Sequence, residues 1–530
     1  MRVSQAIRWS GCARIRRTIV PGIYRYLALS VPGLLAFGCS QPAPRFAFPA
    51  QRTSAGEIAL DINHDGRPDY WQELDLLGRK VAVRFADNHD GTPGAEVRLD
   101  TPVAPDDLRV TIILDGVPYE LINELYQQGY FRLFPPAGKV VSIFPVMTDL
   151  ALSRALTNRM PLGYEALYFD REANRLSDGN DVYLKGLNAP WWSEMDYRVS
   201  TSWDVRTYLS PKAVWRHELE GFLKTIRGKS AGVVRVYSVG TAGLGTLGGR
   251  AAISAYLKDV DQLCEQITYE RRGKVRFTLF ADHGHGLTPD KRVSYDDVLR
   301  RAGFRVTKRL ARPDDAVVID YGLVTCAVIH TNQPQRAADA VVAEQATDLV
   351  VYRLKPDADE IIVRNSGGQA VIRRQDNGSD IIFTYDYSAG DPLDLAPLAP
   401  PEFRETDRPL LSASDREWFR LTVDHRYPDP LFRIWDGFCC LARHPADMIV
   451  SLKEGYFAGS AFFAAFAKVE STHGALSAGS SNTFLLSNDI EVPRACRIGD
   501  LRFILPGRQT YAAREKIGAA KTDDAAAAAH

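Results

Sequence analysis

The chain has no excess of charge of either sign: 65 Lys and Arg balance 65 Asp and Glu over 530 residues, for a formal net charge of +0. No global field therefore draws it toward a polyanion, and nucleic-acid binding is not expected. Cysteine is sparse, at seven residues. No Cys-x-x-Cys and no Cys/His ligand spacing occurs, which argues against a thiolate metal centre. If Cys12 leaves with an N-terminal signal and Cys39 is acylated, Cys264, Cys326, Cys439, Cys440 and Cys496 remain, an odd set that cannot all pair. Isolated buried thiols are the expectation for these. There is no GxxxxGK[ST] phosphate loop, and the apolar run 27–38 falls short of the ~18 residues that span a bilayer. What is present is an ordinary globular composition, 45% hydrophobic and 25% charged, in a chain longer than one typical domain.

Arg2, Arg8, Arg14, Arg16, Arg17 and Arg25 precede that apolar run, which stops at Gly38-Cys39. The order predicts a signal peptide over 1–39 with a lipobox-like end and a lipid on Cys39, although Ala36 stands where such boxes place Leu and Leu35 lies one place earlier. A cleaved signal or an uncleaved anchor is the alternative. Either way the chain is expected to be exported to a bacterial cell envelope, lipid-anchored and facing the periplasm or exterior. Residues 40–56 mix Pro, Ser and Gly and suit a tether, while the Ala-rich 511–530 suggests a disordered tail.

Residues 57–106 form a small polar module. Asp61, Asn63, Asp65 and Asp69 stand at positions 1, 3, 5 and 9 of a DxNxDG loop, with Gly66 at the turn and the Arg67 carbonyl at position 7. Hard oxygen donors at this spacing fit Ca²⁺. Position 12 is Gln72 rather than Glu, with Glu73 adjacent, and no helix precedes the loop, so an acidic turn without an ion is the alternative. A second cluster, 87–91, lacks an acid two residues before Asn88. Alternating Lys80–Phe85 predicts a strand between the two.

From 107 to 510 the pattern changes to buried strands followed by helical stretches: 108–114 then 120–128, 233–237 then 250–268, and 274–280. This predicts a doubly wound α/β sheet between helices, with ligands at the carboxyl ends of its strands. Residues 314–400 suggest an inserted subregion, and 446–490 return to the core pattern.

The chemistry-bearing residues sit at those strand ends. Asp115-Gly116 follows the first apolar strand, a place where Asp is otherwise a turn or cap residue. Thr148 opens an apparent helix, where free N–H groups favour a phosphate, or where the hydroxyl is simply an N-cap. Asp282-His283 leaves the strand 277–281 among glycines and offers donors suited to Zn²⁺. Ser471-Thr-His473-Gly474 comes later and is weak alone. His285, beside the pair, is expected to be a surface or supporting histidine.

The order of these residues resembles the alkaline phosphatase superfamily, and particularly its type I phosphodiesterase/nucleotide pyrophosphatase branch. The resemblance covers about 107–490. It implies that Asp115, Thr148, Asp282 and His283 hold one divalent metal, zinc by the family's pattern, that Thr148 attacks phosphorus, and that His473 belongs to a second metal. The family's D-x-x-x-H element, which supplies that second metal's other ligands, is missing: 238–249 is a glycine-rich stretch with Ala242 and Thr246, or Thr241 and Gly245, at the two positions. That stretch is expected to be a shortened loop. The implied function is a metal-dependent hydrolase of phosphomonoesters or phosphodiesters, mononuclear if the missing ligands are not replaced, acting on a small phosphoester or an envelope component. The alternatives are an inactive pseudoenzyme serving the envelope as a binding protein, or a structural surface protein built around the calcium-type module.

Overall fold

The computed structural model describes residues 50–507, apart from 53–56, 63–64, 87–91, 102–103, 105–106, 289–290, 357, 379, 406, 462–463 and 465–468. Cys39, Asn63, the second acidic cluster 87–91 and the tail 511–530 lie outside these residues. The central sheet is built from β1 (Leu108–Leu114), β2 (Gly138–Val141), β3 (Gly232–Ser238), β4 (Val275–Ala281), β5 (Asn482–Ser487) and β6 (Ala495–Arg497), in spatial order β3-β1-β4-β5-β2-β6. β1 pairs in parallel with β3 on one side and β4 on the other. Leu114 is level with both Ser238 and Ala281. The residues that follow these three strands therefore emerge side by side at one sheet edge.

Apolar β-branched runs make β1 and β4 central strands buried on both faces. Ile112 and Leu114 pack with one set of helices, α1 (Tyr119–Gln127) among them, whereas Ile113 faces the opposite cluster with α2 (Thr148–Leu156). Helices α3 (Pro211–Arg227) and α4 (Gly240–Glu270) join the first side, and α5 (Pro430–Cys439) the second. This is the two-sided α/β arrangement the strand–helix alternation predicts. Each fully buried Leu, Ile or Phe contributes roughly 1.5–3 kcal/mol.

A separate nine-stranded sheet runs from Arg305–Val306 to Leu410–Ser414 and includes Met448–Leu452, which lies between Cys326–Thr331 and Thr347–Tyr352. The stretch 446–490 is thus divided, its first strand joining this sheet and its last, β5, the central one. The N-terminal module is a five-stranded antiparallel sheet from Ala50–Arg52 to Val97–Arg98. It docks on α4, where Gln72 Nε2 donates to Glu265 Oε2 at 2.7 Å and Lys80 pairs with the same carboxylate.

In the 61–69 loop the carboxylates take backbone amides. Asp61 accepts from Asp65 N (3.2 Å) and Gly66 N (2.9 Å), Asp65 from Arg67 N (2.9 Å), and buried Asp69 from Ile62 N (3.2 Å). Of the five cysteines, Cys264, Cys326 and Cys496 are buried as expected, but Cys439 and Cys440 are exposed because α5 ends at the surface there. Among the described residues no helix is long and apolar enough to cross a membrane.

Candidate metal centre

The level ends of β1 and β4 bring Asp115 and Asp282 together. Gly116 turns the chain after β1 with φ +64°, and its N–H donates to Asp282 Oδ1 at 3.0 Å. A Cβ at 116 would meet His285 Cδ2 at 3.1 Å and His283 Cε1 at 3.2 Å, so both conformation and room call for glycine. The Tyr237 hydroxyl donates to Asp115 Oδ2 at 2.5 Å. Ser142 Oγ donates to the Asp282 carbonyl at 2.7 Å. Asp282 Oδ2, in a side chain with no exposure, has no hydrogen-bond partner.

His283 is equally buried, and its Nδ1 lies 2.7 Å from the Gly284 carbonyl. A carbonyl only accepts, so Nδ1 carries the proton and Nε2 presents a lone pair. That lone pair is 3.2 Å from Thr148 Oγ1, 3.3 Å from Asp282 Oδ2 and 3.6 Å from Asp115 Oδ1. Thr148 is the first residue of α2, with Met147 as the cap, so its hydroxyl is not spent on capping and points to Asp115 Oδ1 at 3.5 Å. Asp115, Asp282 and His283 each offer one ligand atom within 4.8 Å of the others.

Charge is costly here. Burial, then the charge of Asp282, holds the Asp115 carboxyl well above the usual range, with Asp204 and Glu218 adding to it from farther out. Burial also pushes Asp282 up to about 6 and His283 down to about 4. Two buried carboxylates and an imidazole lone pair without a counter-charge make an unfavourable set that a divalent cation would neutralise. An orphaned carboxylate oxygen beside a neutral imidazole is also a donor set that suits Zn²⁺. The residues present therefore fit a metal.

The other side of the site differs. His473 stacks on His283 with ring centroids 3.9 Å apart, and its Nδ1 lies 2.8 Å from the Val146 carbonyl. His285 is buried, not superficial. Its Nδ1 is 2.7 Å from Ser471 Oγ, which donates to the Gly245 carbonyl at 3.2 Å, leaving His285 Nε2 without a partner. The stretch 238–249, expected to be a loop, instead opens helix α4 at Gly240, with an interruption at Gly249. The physical reason is tertiary. Buried Glu218 on α3 accepts from Val239 N (2.8 Å) and Gly240 N (3.0 Å), serving the first amides of the helix. A Cβ at 243 would lie 2.3 Å from Thr207 Cγ2, and one at 245 would lie 2.9 Å from His285 Nε2, so these glycines trade helix propensity for close packing. Thr241, Ala242, Gly245 and Thr246 are all buried in the helix and supply no imidazole or carboxylate.

Sequence reasoning missed Tyr237, Ser142, Ser471 and Glu218. It also passed over Asp149, whose carboxylate accepts from Trp191 Nε1 at 2.9 Å and Asn188 Nδ2 at 3.2 Å and so anchors the start of α2. Ser471 lies beside His473 and Asp149 beside Thr148, within segments already singled out; Tyr237, Ser142 and Glu218 come from distant segments with no local signature.

No family model matches this sequence, and no curated protein is found similar to it. Among solved structures the chain is similar to phosphonoacetate hydrolase from Sinorhizobium meliloti 1021 in complex with phosphonoacetate, at TM-score 0.40 and 11% identity over 79% of this chain and 98% of that one. It is also similar to an inactive variant of murine ectonucleotide pyrophosphatase/phosphodiesterase 5 in complex with AMP, at TM-score 0.39 and 12% identity over 76% of this chain and 93% of that one. These likenesses concern the fold, and the functional reading rests on the side chains above.

Proposed function

We propose that the protein is a metal-dependent phosphoester hydrolase with Thr148 as nucleophile. The observation that carries this is the Thr148 hydroxyl, 3.2 Å from the His283 Nε2 lone pair at a buried cluster with Asp115 and Asp282. Asp115, Asp282, His283 and Thr148 would hold one divalent ion, zinc by donor type, which would favour the threonine alkoxide and offset phosphate charge. Tyr237 and Gly116 hold the two carboxylates in place through the bonds to Asp115 and Asp282. The open amides at the start of α2 would donate to a phosphate oxygen. Thr148 Oγ1 would bond to phosphorus as the ester oxygen leaves with a proton, and water would release the phosphoryl group. A second reading, a binding protein without turnover, is favoured by one observation: α4 supplies no ligand where the resemblance expects two.

Purified protein with added Zn²⁺, assayed on bis-nitrophenyl phosphate beside Thr148→Ala, tests the choice. Turnover lost in the variant supports the nucleophile, turnover retained overturns it, and an inactive metal-loaded wild type supports the second reading. Two further expectations from the sequence belong to the proposal. Acylation at Cys39 predicts fatty-acid labelling that Cys39→Ser abolishes. Calcium in the 61–69 loop predicts a Ca²⁺-dependent rise in melting temperature that Asp61→Ala removes.

A further inference from the structure

A cavity of about 120 Å³ opens between the end of β2, helices α2 and α5, and residues 497–503. One water needs only roughly 10–15 Å³ of such space, so a small molecule fits. The cavity is separate from the candidate metal centre. None of Asp115, Thr148, Asp282 and His283 is in its wall, and Arg154, which is, stands six residues along α2 from Thr148, about 9 Å by helical rise.

Two side chains of α5 in this wall are buried and incompletely bonded: Arg433 is 2% exposed and Asp436 5%. Four of the five N–H groups of the Arg433 guanidinium are spent on neutral oxygens, the carbonyls of Pro428 (2.9 Å), Leu476 (3.1 Å) and Ile143 (3.0 Å) and Ser481 Oγ (2.6 Å). These bonds fix the group in place, and its Nε–H has no partner. Asp436 accepts from Arg154 at 3.2 Å through Oδ1, while its Oδ2 has no partner. Three residues apart, the two side chains share one face of α5. A buried polar atom left without a partner is costly, and more so on a charged group. The wall thus lacks an acceptor at a cation and a donor at an anion.

Its charges decide what would supply them. Arg154, Arg433, Arg497 and Arg502 stand in the wall against Asp436 and Asp500. Arg497 is also bound twice each by Asp415 and Asp429, which brings the count to four cations and four anions. A simple anion or cation would upset that balance. An occupant with one charge of each sign keeps it and makes charge-assisted bonds at both ends. Val141, Ile143 and Phe432 give the same cavity an apolar side for a small substituent.

We infer that this cavity binds a small α-amino acid, its carboxylate toward Arg433 and Arg154 and its ammonium toward Asp436. The inference is independent of the phosphoester reading and requires no metal.

The test is calorimetric titration of the full chain with glycine, L-alanine, L-serine and L-valine, each up to about 10 mM, beside thermal melts. At least one should bind saturably and raise the melting temperature. Acetate and ethylamine, which carry only one of the two charges, should not. Asp436→Asn, which keeps the shape and removes the charge, should weaken binding at least about tenfold. A melt of the unliganded variant matching that of the parent excludes unfolding. If Asp436→Asn melts early, Arg154→Ala, at a half-exposed position, replaces it with the same expected loss. Thr148→Ala should bind like its parent, so a failure of catalysis leaves this result intact. No binding by any of the four amino acids, equal binding by acetate or ethylamine, or undiminished binding by the folded cavity variant overturns the inference.

Discussion

The two sides of the site are built from the same kind of segment and have opposite contents. On the Asp115–Asp282–His283 side, strand ends deliver two carboxylates and an imidazole into a buried spot and leave Asp282 Oδ2 and the His283 Nε2 lone pair turned toward each other. On the α4 side a strand end, β3, delivers a glycine-rich helix start whose amides are served by Glu218 and whose small residues admit Thr207 and His285. One side stores unpaired charge; the other leaves only neutral atoms such as His285 Nε2 and Thr207 Oγ1 without a partner. The difference teaches that metal affinity here should be set by one half of the site, while the other half shapes it by packing.

That asymmetry can be broken most sharply at Thr148. Thr148→Ala should reduce phosphodiester turnover by at least about 1000-fold, measured with saturating Zn²⁺, whereas a passive threonine would cost little. Next comes Asp282→Asn, which should weaken Zn²⁺ binding at least about 100-fold by calorimetric titration of chelator-stripped protein. His473→Ala, on the other side, should cost far less in that titration, and an equal loss would erase the distinction between the halves. Gly243→Val, whose side chain would overlap the Thr207 backbone carbonyl 2.4 Å from its Cβ, should destabilise the fold by about 1–3 kcal/mol in urea without altering the carboxylate cluster.

The smallest effect concerns pH. Burial pushes Glu218 up to about 7, above the usual carboxylate range, so near neutral pH the folded state holds a proton that the unfolded chain releases. The associated stability is present at low pH and lost as pH rises through about 7. Urea midpoints at about pH 5 and about pH 8 should therefore differ for wild type more than for Glu218→Gln.

Legibility in the sequence followed the same divide. Asp115, Thr148 and the Asp282-His283 pair were visible because each stands at a local transition, a buried strand ending in a glycine-bearing turn or a helix beginning, and the alternation of elements gave the two-sided sheet. The α4 side was not visible. A glycine run argues against helix by propensity, and only contacts from Glu218, Thr207 and His285, far away in sequence, overrule it. The burial of His285 depends likewise on Ser471, and the placement of Met448–Leu452 in the nine-stranded sheet depends on partners that apolar periodicity cannot name.

The most direct test of the central claim is a crystal of the Zn²⁺-loaded protein measured at the zinc absorption edge. The account predicts one strong anomalous peak bounded by Asp115 Oδ1, Asp282 Oδ2, His283 Nε2 and Thr148 Oγ1. A map with no peak among these atoms would contradict it.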